Sequence, residues 1–287
     1  MTPPDSPCFR PPFRRHGPAN PVTPIVLSVP HAGRAYPAAM HDLLRVPLPA
    51  LLPLEDRRVD AVALAARGPH TLFEAVRPRA WIDLNRGERE RDPQIDAGAQ
   101  PMAQPQASAR LRSGLGLVPR RASSGVDIWT RRLTGEEVEA RIVADHRPYH
   151  AALAEALAAA HARFGIAILL DIHSMPSLPG IAPAQLVLGD RHGRSARRGL
   201  VDVLGAVARD AGLRVARNQP YAGGHIVATH GLPQRNVHAI QIELDRSLYL
   251  DPTLTEVGEG LPALADTLAG MIAAVAEAAL PPALAAE

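Results

Sequence analysis

The chain contains no lysine: its 31 basic residues are all arginine, set against 29 acids, for a formal charge of only +2 over 287 residues. The bias reads as genome composition rather than function. No basic block is interleaved with aromatics that would stack on bases, so nucleic acid is not expected as a partner, and small acidic molecules remain. Aromatic residues make up 3% and hydrophobic residues 46%, so the core has to be built from Ala, Leu, Val and Ile on helices and strands, and a disordered chain is excluded. The single cysteine, Cys8, can form no internal disulfide and offers no thiolate cluster for zinc, which fits a reducing cytosol. The N-terminal stretch has no apolar core of the signal-peptide kind, and the Ala-rich end carries Asp266 and Glu277, so no membrane span is read there. The expectation is a soluble cytoplasmic protein without a membrane partner.

The length is long enough to bury a sizeable core and favours one large domain. Residues 1–24 are Pro-rich and read as a flexible or surface-hugging extension, because proline cannot donate to a ladder and pushes its neighbour out of the helical region. A single domain over 25–287 then alternates strands and helices. Strands are expected over 25–30, 71–76, 80–84, 166–173, 185–188, 213–216 and 237–243, and helices over 37–46, 57–67, 134–163, 195–211 and 254–278. Thr134 followed by Glu137 has the form of a capping box, and Pro148 is expected to kink or split the helical block it opens. This alternation predicts an α/β fold with a mixed, largely parallel sheet between helix layers. From 87 to 133 the chain is polar, rich in Pro, Gly, Ser and Arg, and without periodicity, which predicts a long loop or lid over a site.

Two of the apolar strands end on a histidine, His31 and His173, and a third ends on Glu243. In an open α/β sheet ligands gather outside the carboxyl ends of strands, so these side chains can meet at one rim. Either imidazole alone also fits a turn residue bonded to backbone. Together they point to a metal, since a catalytic zinc takes three nitrogen or oxygen ligands and a water. The third ligand is sought in Glu55 or Asp56, although acids at a helix start equally serve as caps. Glu243 at the end of an apolar strand is either paired with an arginine such as Arg246 or works as general base and acid. Asn85 and Arg86 end another expected strand. The planar fork of Arg86 suits a substrate carboxylate, against the alternative of a surface pair with Glu88 or Glu90. The segment from Asn218 to Gly224 is a turn by composition, in which Gly223 and Gly224 also permit close approach of backbone to a ligand. His225, His230 and His238 are left unassigned.

Taken in order, Ser28-Val29-Pro30-His31-Ala32-Gly33, Glu55-Asp56-Arg57-Arg58-Val59-Asp60, Ile82-Asp83-Leu84-Asn85-Arg86, Asp171-Ile172-His173-Ser174-Met175-Pro176, Asn218 to Ile226 and Gln241-Ile242-Glu243-Leu244 resemble the N-formylglutamate amidohydrolase family over roughly residues 25–252. The resemblance implies a three-layer α/β/α sandwich similar to zinc carboxypeptidases. It implies one zinc ion held by His31, His173 and an acid of the Glu55-Asp56 pair, with Asp56 favoured because the family's Asp-x-x-Val-Asp pattern falls there. It further implies Glu243 as the catalytic carboxylate and Asn85 with Arg86 as holders of the substrate carboxylate, with Asn218, Gly223 and Gly224 beside them. The loop over 87–133 departs from the family pattern, and within it Arg120, Arg121, Arg131 and Arg132 are candidates for the second carboxylate. The implied activity is metal-dependent hydrolysis of N-formyl-L-glutamate to formate and L-glutamate, a late step of histidine breakdown. The alternatives are a carboxypeptidase or deacylase of other N-acyl amino acids, and a non-catalytic binder of acidic metabolites.

Overall fold

The computed structural model describes residues 11–100, 109–122 and 125–280; Cys8 lies outside them. Seven strands form one sheet: β1 (Phe13–His16), β2 (Ile25–Val29), β3 (Thr71–Ala75), β4 (Ala167–Met175), β5 (Leu186–Gly189), β6 (Val215–Arg217) and β7 (Val237–Asp245). Their order is β1-β3-β2-β4-β7-β5-β6. The central strands β3, β2, β4 and β7 are mutually parallel, while β1 runs antiparallel on β3 and β5 antiparallel on β7. Four carboxyl ends therefore emerge on one rim. The fold is α/β with a mixed, largely parallel sheet, as the alternation of elements predicts.

The strands divide their side chains by parity. Ile25 and Leu27 of β2, Ile168, Leu170 and Ile172 of β4, and Ile240 and Ile242 of β7 pack with α2 (Val59–Ala66), α6 (Arg198–Asp210) and α8 (Leu261–Ala279). On the opposite face Val26, Ala167, Leu169 and Ala239 meet α4 (Gly135–Arg141), α5 (Arg147–Phe164) and α7 (His225–His230). A fully buried aliphatic side chain contributes about 1.5–3 kcal/mol, so both faces stabilise the sheet, and helices on each side make three layers. Toward the carboxyl ends the first face stays apolar. The second turns polar, with Ser28 on β2, Asp171 and His173 on β4, and Gln241 and Glu243 on β7, all buried.

Several elements depart from the sequence reading, each for a local reason. Residues 13–16 of the Pro-rich extension form the edge strand β1, held to β3 by Arg14 and His16 on Glu74 at 3.0 and 2.8 Å. Residues 80–84 are not a strand. Their alternation is that of a turn with three core residues, closed by bonds from the Trp81 amide to the Pro78 carbonyl and from the Asp83 amide to the Leu117 carbonyl. The helix expected over 37–46 shrinks to α1 (Ala38–His41), followed by a 3-10 helix, Leu48–Leu54, that tolerates Pro49 and Pro53. The last helix begins at Leu261 rather than 254, because the Asp251 carboxylate takes the amides of Thr255 and Glu256, and Pro262 sits in the first turn. At 19 residues, α8 is long and apolar enough to cross a membrane by length and composition, contrary to the expectation of no spanning run; here it packs against α2 and α6.

The capping box at Thr134 is present with both of its bonds. Ahead of Pro148 the helical block widens into one π turn, Ile142–His146, where the Arg147 amide reaches back to the Ile142 carbonyl. Proline there has no N–H to continue the regular ladder, and π turns recur at functional sites. Of the stretch expected to act as a lid, residues 101–108 and 123–124 lie outside the described residues. Much of the remainder is anchored rather than free: Leu117, Val118, Ile128, Trp129 and Leu133 belong to the second core, and α3 (Ala109–Arg112) approaches the rim.

Candidate active site

At the rim of β2, β4 and β7 lies a cavity of about 220 Å³. His31 follows β2, Asp56 lies just ahead of α2, and His173 projects from β4. One donor atom from each lies within 4.8 Å of the others, a grouping able to hold a metal ion. The His173 Nδ1 is 2.9 Å from Asp56 Oδ2 and the His31 Nδ1 is 3.5 Å from the same oxygen. Behind the rings, His31 Nε2 donates to Asp83 Oδ1 at 2.7 Å and His173 Nε2 to Asp171 Oδ2 at 2.9 Å. These carboxylates fix each ring so that Nδ1 faces Asp56, the arrangement usual behind metal-bound imidazoles. The Nδ1 of His31 is buried with no hydrogen-bond partner, as an imidazole nitrogen kept for a cation would be. Asp171 is held in turn by Ser28 Oγ at 2.7 Å, and Ser28 by the Tyr149 hydroxyl at 2.9 Å.

Charge in this group is compensated. Burial opposes ionisation of Asp56, yet the hydrogen bond from His173 and the nearby His31 imidazole hold its carboxyl well below the usual carboxylate range. Burial also opposes a charge on Asp83, but Arg79 and Arg86 beside it keep it ionised. Glu55 does not join the group: it pairs with Arg57 at 2.9 Å and takes the Tyr36 hydroxyl.

Glu243 lies opposite His173 in the β4–β7 register and lines the same cavity. Burial pushes its carboxyl up to about 7, with Asp56 adding to the rise and His173 opposing it. The side chain is aimed by Gln241, two residues earlier on the same face, whose Nε2 donates to Glu243 Oε1 at 2.6 Å. Of the two alternatives for Glu243, pairing with Arg246 is not found; Arg246 instead binds Ser174, the Glu55 carbonyl and Asp56.

Asn85 and Arg86 both line the cavity. The Nε and Nη1 of Arg86 bond to the carbonyls of Leu115 and Asn85. Asn85 accepts the Ile226 amide at the start of α7 and donates to Gln241. Gly224 follows from this packing, since a Cβ there would lie 2.3–2.5 Å from the Asn85 amide group. Gly223, at φ +119, has its Cβ position 2.6 Å from Val227. Neither glycine lines the cavity, nor does Asn218, which clamps Asp190 by bonds to its amide and carboxylate. The turn they shape delivers Tyr221 to the cavity instead.

The four loop arginines are also not brought to the site. Arg120 pairs with Asp92 and Asp127, Arg121 lies near Asp127, Arg131 pairs with Glu137, and Arg132 reaches the Asp96 carbonyl. The cations that line the cavity besides Arg86 are Arg79, Arg110 and Arg246. Arg110 has no carboxylate partner among the described residues. In a chain whose every basic residue is arginine, no residue type marks these positions out. Asp171 and Gln241, by contrast, stand two residues before His173 and Glu243, and the two-residue period of a strand was a signal able to find them.

The profile of the N-formylglutamate amidohydrolase family matches residues 23–250. N-formylglutamate deformylase of Pseudomonas putida is 31% identical over 238 residues, covering 80% of this chain and 83% of that protein. The crystal structure of N-formylglutamate amidohydrolase from Ralstonia eutropha superposes with a TM-score of 0.85 at 36% identity, covering 93% of this chain and 98% of that one. A gene product from Agrobacterium tumefaciens, 21% identical and covering 94% and 93%, shares the fold with a TM-score of 0.67. With the profile spanning most of the chain, the protein belongs to the N-formylglutamate amidohydrolase family.

Proposed function

We propose that this protein hydrolyses N-formyl-L-glutamate to formate and L-glutamate, with zinc held by His31, Asp56 and His173. The observation that carries this reading is one cavity lined by that trio, by a buried carboxylate and by four arginines. Two imidazole nitrogens and one carboxylate oxygen form a donor set of the kind found in catalytic zinc sites. Zinc in such a site acts as a Lewis acid and makes water acidic enough to lose a proton near neutral pH.

The remaining work falls to the chain itself. Glu243, with its affinity for a proton raised to about 7, accepts the proton of the attacking water and passes it to the amide nitrogen. An oxygen–carbon bond to the formyl group forms, the carbon–nitrogen bond breaks, and the amine leaves with that proton. Gln241 keeps the Glu243 carboxylate pointed into the cavity. N-formylglutamate carries two carboxylates. Arg86, whose remaining Nη2 has only Asp83 at 3.7 Å, and Arg110 are the cations best able to bind them, since Arg79 and Arg246 are committed to Asp83 and Asp56. Holding the substrate at both charged ends brings the formyl carbon to the trio and supplies the orientation that hydrolysis needs.

The test is formate release from N-formyl-L-glutamate by the zinc-loaded protein, run beside N-acetyl-L-glutamate and a dipeptide ending in glutamate. Faster turnover of the formyl compound is expected. An enzyme that cleaves the dipeptide but releases no formate would refute the reading.

A further inference from the structure

A second group of histidines stands outside the cavity, on the segments just behind its Asn85-Arg86 wall. His146 closes the π turn, His150 follows one turn later in α5, and His225 opens α7; one ring nitrogen from each lies within 4.8 Å of the others. Two histidines four residues apart share one helical face, the spacing by which a helix offers two imidazoles to one cation. The ring centroids of His146 and His150 are 4.4 Å apart, and that of His225 lies 5.1 Å from His150.

The hydrogen bonds fix which nitrogens are free. His146 Nε2 donates to the Arg86 carbonyl at 2.8 Å and His150 Nε2 donates to the Leu84 carbonyl at 2.9 Å. Each ring is thereby held as the tautomer whose Nδ1 carries a lone pair. The Nδ1 of His146, in a side chain only 3% exposed, has no hydrogen-bond partner. That of His150 is hydrogen-bonded to His230 Nε2 at 3.0 Å, a contact that a cation taking this nitrogen would displace. His225 bonds weakly, at 3.3 Å, to Thr229 one turn along α7. A buried acceptor without a donor costs about 1–3 kcal/mol unless something fills its place.

We propose that His146, His150 and His225 form a second metal site, distinct from the trio in the cavity, that takes a borderline divalent transition cation such as zinc. The donors are all imidazole, which suits zinc, nickel or copper and not magnesium or calcium, whose preferred ligands are oxygen. Glu88 has a carboxylate oxygen 3.9 Å from His146 Nδ1. The cation would tie α5 to α7 while the same rings grip the carbonyls on either side of Asn85. Its role is to position that wall, not to touch the reacting atoms.

Metal stoichiometry decides the matter. The full chain, stripped with a chelator and titrated with zinc alone under equilibrium dialysis, is expected to retain two equivalents. His225→Ala, at a half-exposed position, and His173→Ala, in the cavity, should each retain one, and the double variant none. A parent that binds one equivalent, lost in His173→Ala and kept in His225→Ala, overturns the second site. A parent that binds one equivalent, lost in His225→Ala and kept in His173→Ala, instead upholds it and removes the metal from the cavity reading. Magnesium in place of zinc should leave the stoichiometry of the second site at zero; retention of magnesium that depends on His225 would contradict the donor argument.

Discussion

The His31–Asp56–His173 group and the His146–His150–His225 group use one device on different backing. In both, two imidazoles are pinned through Nε2 so that Nδ1 points inward, but behind the first stand the carboxylates of Asp83 and Asp171 and behind the second the backbone carbonyls of Arg86 and Leu84. A carboxylate behind the ring makes it a stronger donor and supplies charge that a bound cation can balance; a carbonyl sets orientation alone. The first group also contains a carboxylate, that of Asp56, and the second does not. The lesson is that orientation of imidazoles is cheap to build from any acceptor, while a site meant to polarise a substrate needs charge placed around it as well.

The largest expected effect separates chemistry from metal retention. Glu243→Gln should lower formate release by about 10²–10⁴-fold, with zinc content unchanged; loss of metal together with activity would mean that Glu243 belongs to the ligand set. Next, Arg110→Ala removes a charge-assisted contact worth about 1.5–3 kcal/mol, so kcat/KM for N-formylglutamate should drop about 10–100-fold, mostly through KM. A variant with parental KM would return the second carboxylate to some other cation. Asp83→Asn is expected to weaken zinc binding at the cavity by about 10–100-fold and to leave the histidine group behind it untouched. Equal weakening at both would show that the two share more than a wall.

The smallest effect concerns acid. Burial lowers His70, His230 and His238 to about 4 and, with neighbouring imidazoles, His150 to about 2. Each folded value lies below the unfolded imidazole's, so on acidification the unfolded chain takes up the proton first. The contribution of these four histidines to the stability of the metal-free protein should therefore hold above about pH 6.5 and decline as the pH falls toward 4, by at most about 1.4 kcal/mol per histidine per pH unit, partly offset by Glu243, whose raised value favours the folded state as it takes up its proton below about pH 7. Asp83, whose folded value is depressed, contributes stability that is present above about pH 4 and is lost only below it. Urea midpoints measured between pH 7.5 and 3.5 would resolve two successive declines. A flat profile down to pH 4.5 would contradict burial of neutral histidines.

Much of the sheet was legible because its strands are short apolar runs with firm ends: β2, β4 and β7 lie within a residue or two of their expected bounds, and their terminal His and Glu mark the rim. The Thr134 cap was legible because its two bonds are local. What stayed hidden depends on contacts distant in sequence. Residues 80–84 alternate like a strand but pair with no other strand, their backbone being taken by Pro78 and Leu117. Arg110 reaches the cavity through a fold of the loop that no periodicity encodes, and Asn218 looked like a ligand contact until Asp190 supplied its partner. His146 and His150 stood four residues apart in one expected helix, but nothing placed His225 beside them before α5 met α7.

The alternation of faces along β4 and β7 makes the chemistry a matter of parity. His173 and Glu243 stand beside each other because both occupy odd positions in strands paired without offset, while the even residues Ile172 and Ile242 fill the aliphatic layer beneath. Deleting one residue upstream of Asp171 would send that imidazole and its supporting acid down among the leucines of α6 and α8, and lift Ile172 into the cavity. Insertions in this lineage should therefore be found in the connections and not within these two strands, whose length shapes the candidate site as much as their side chains do.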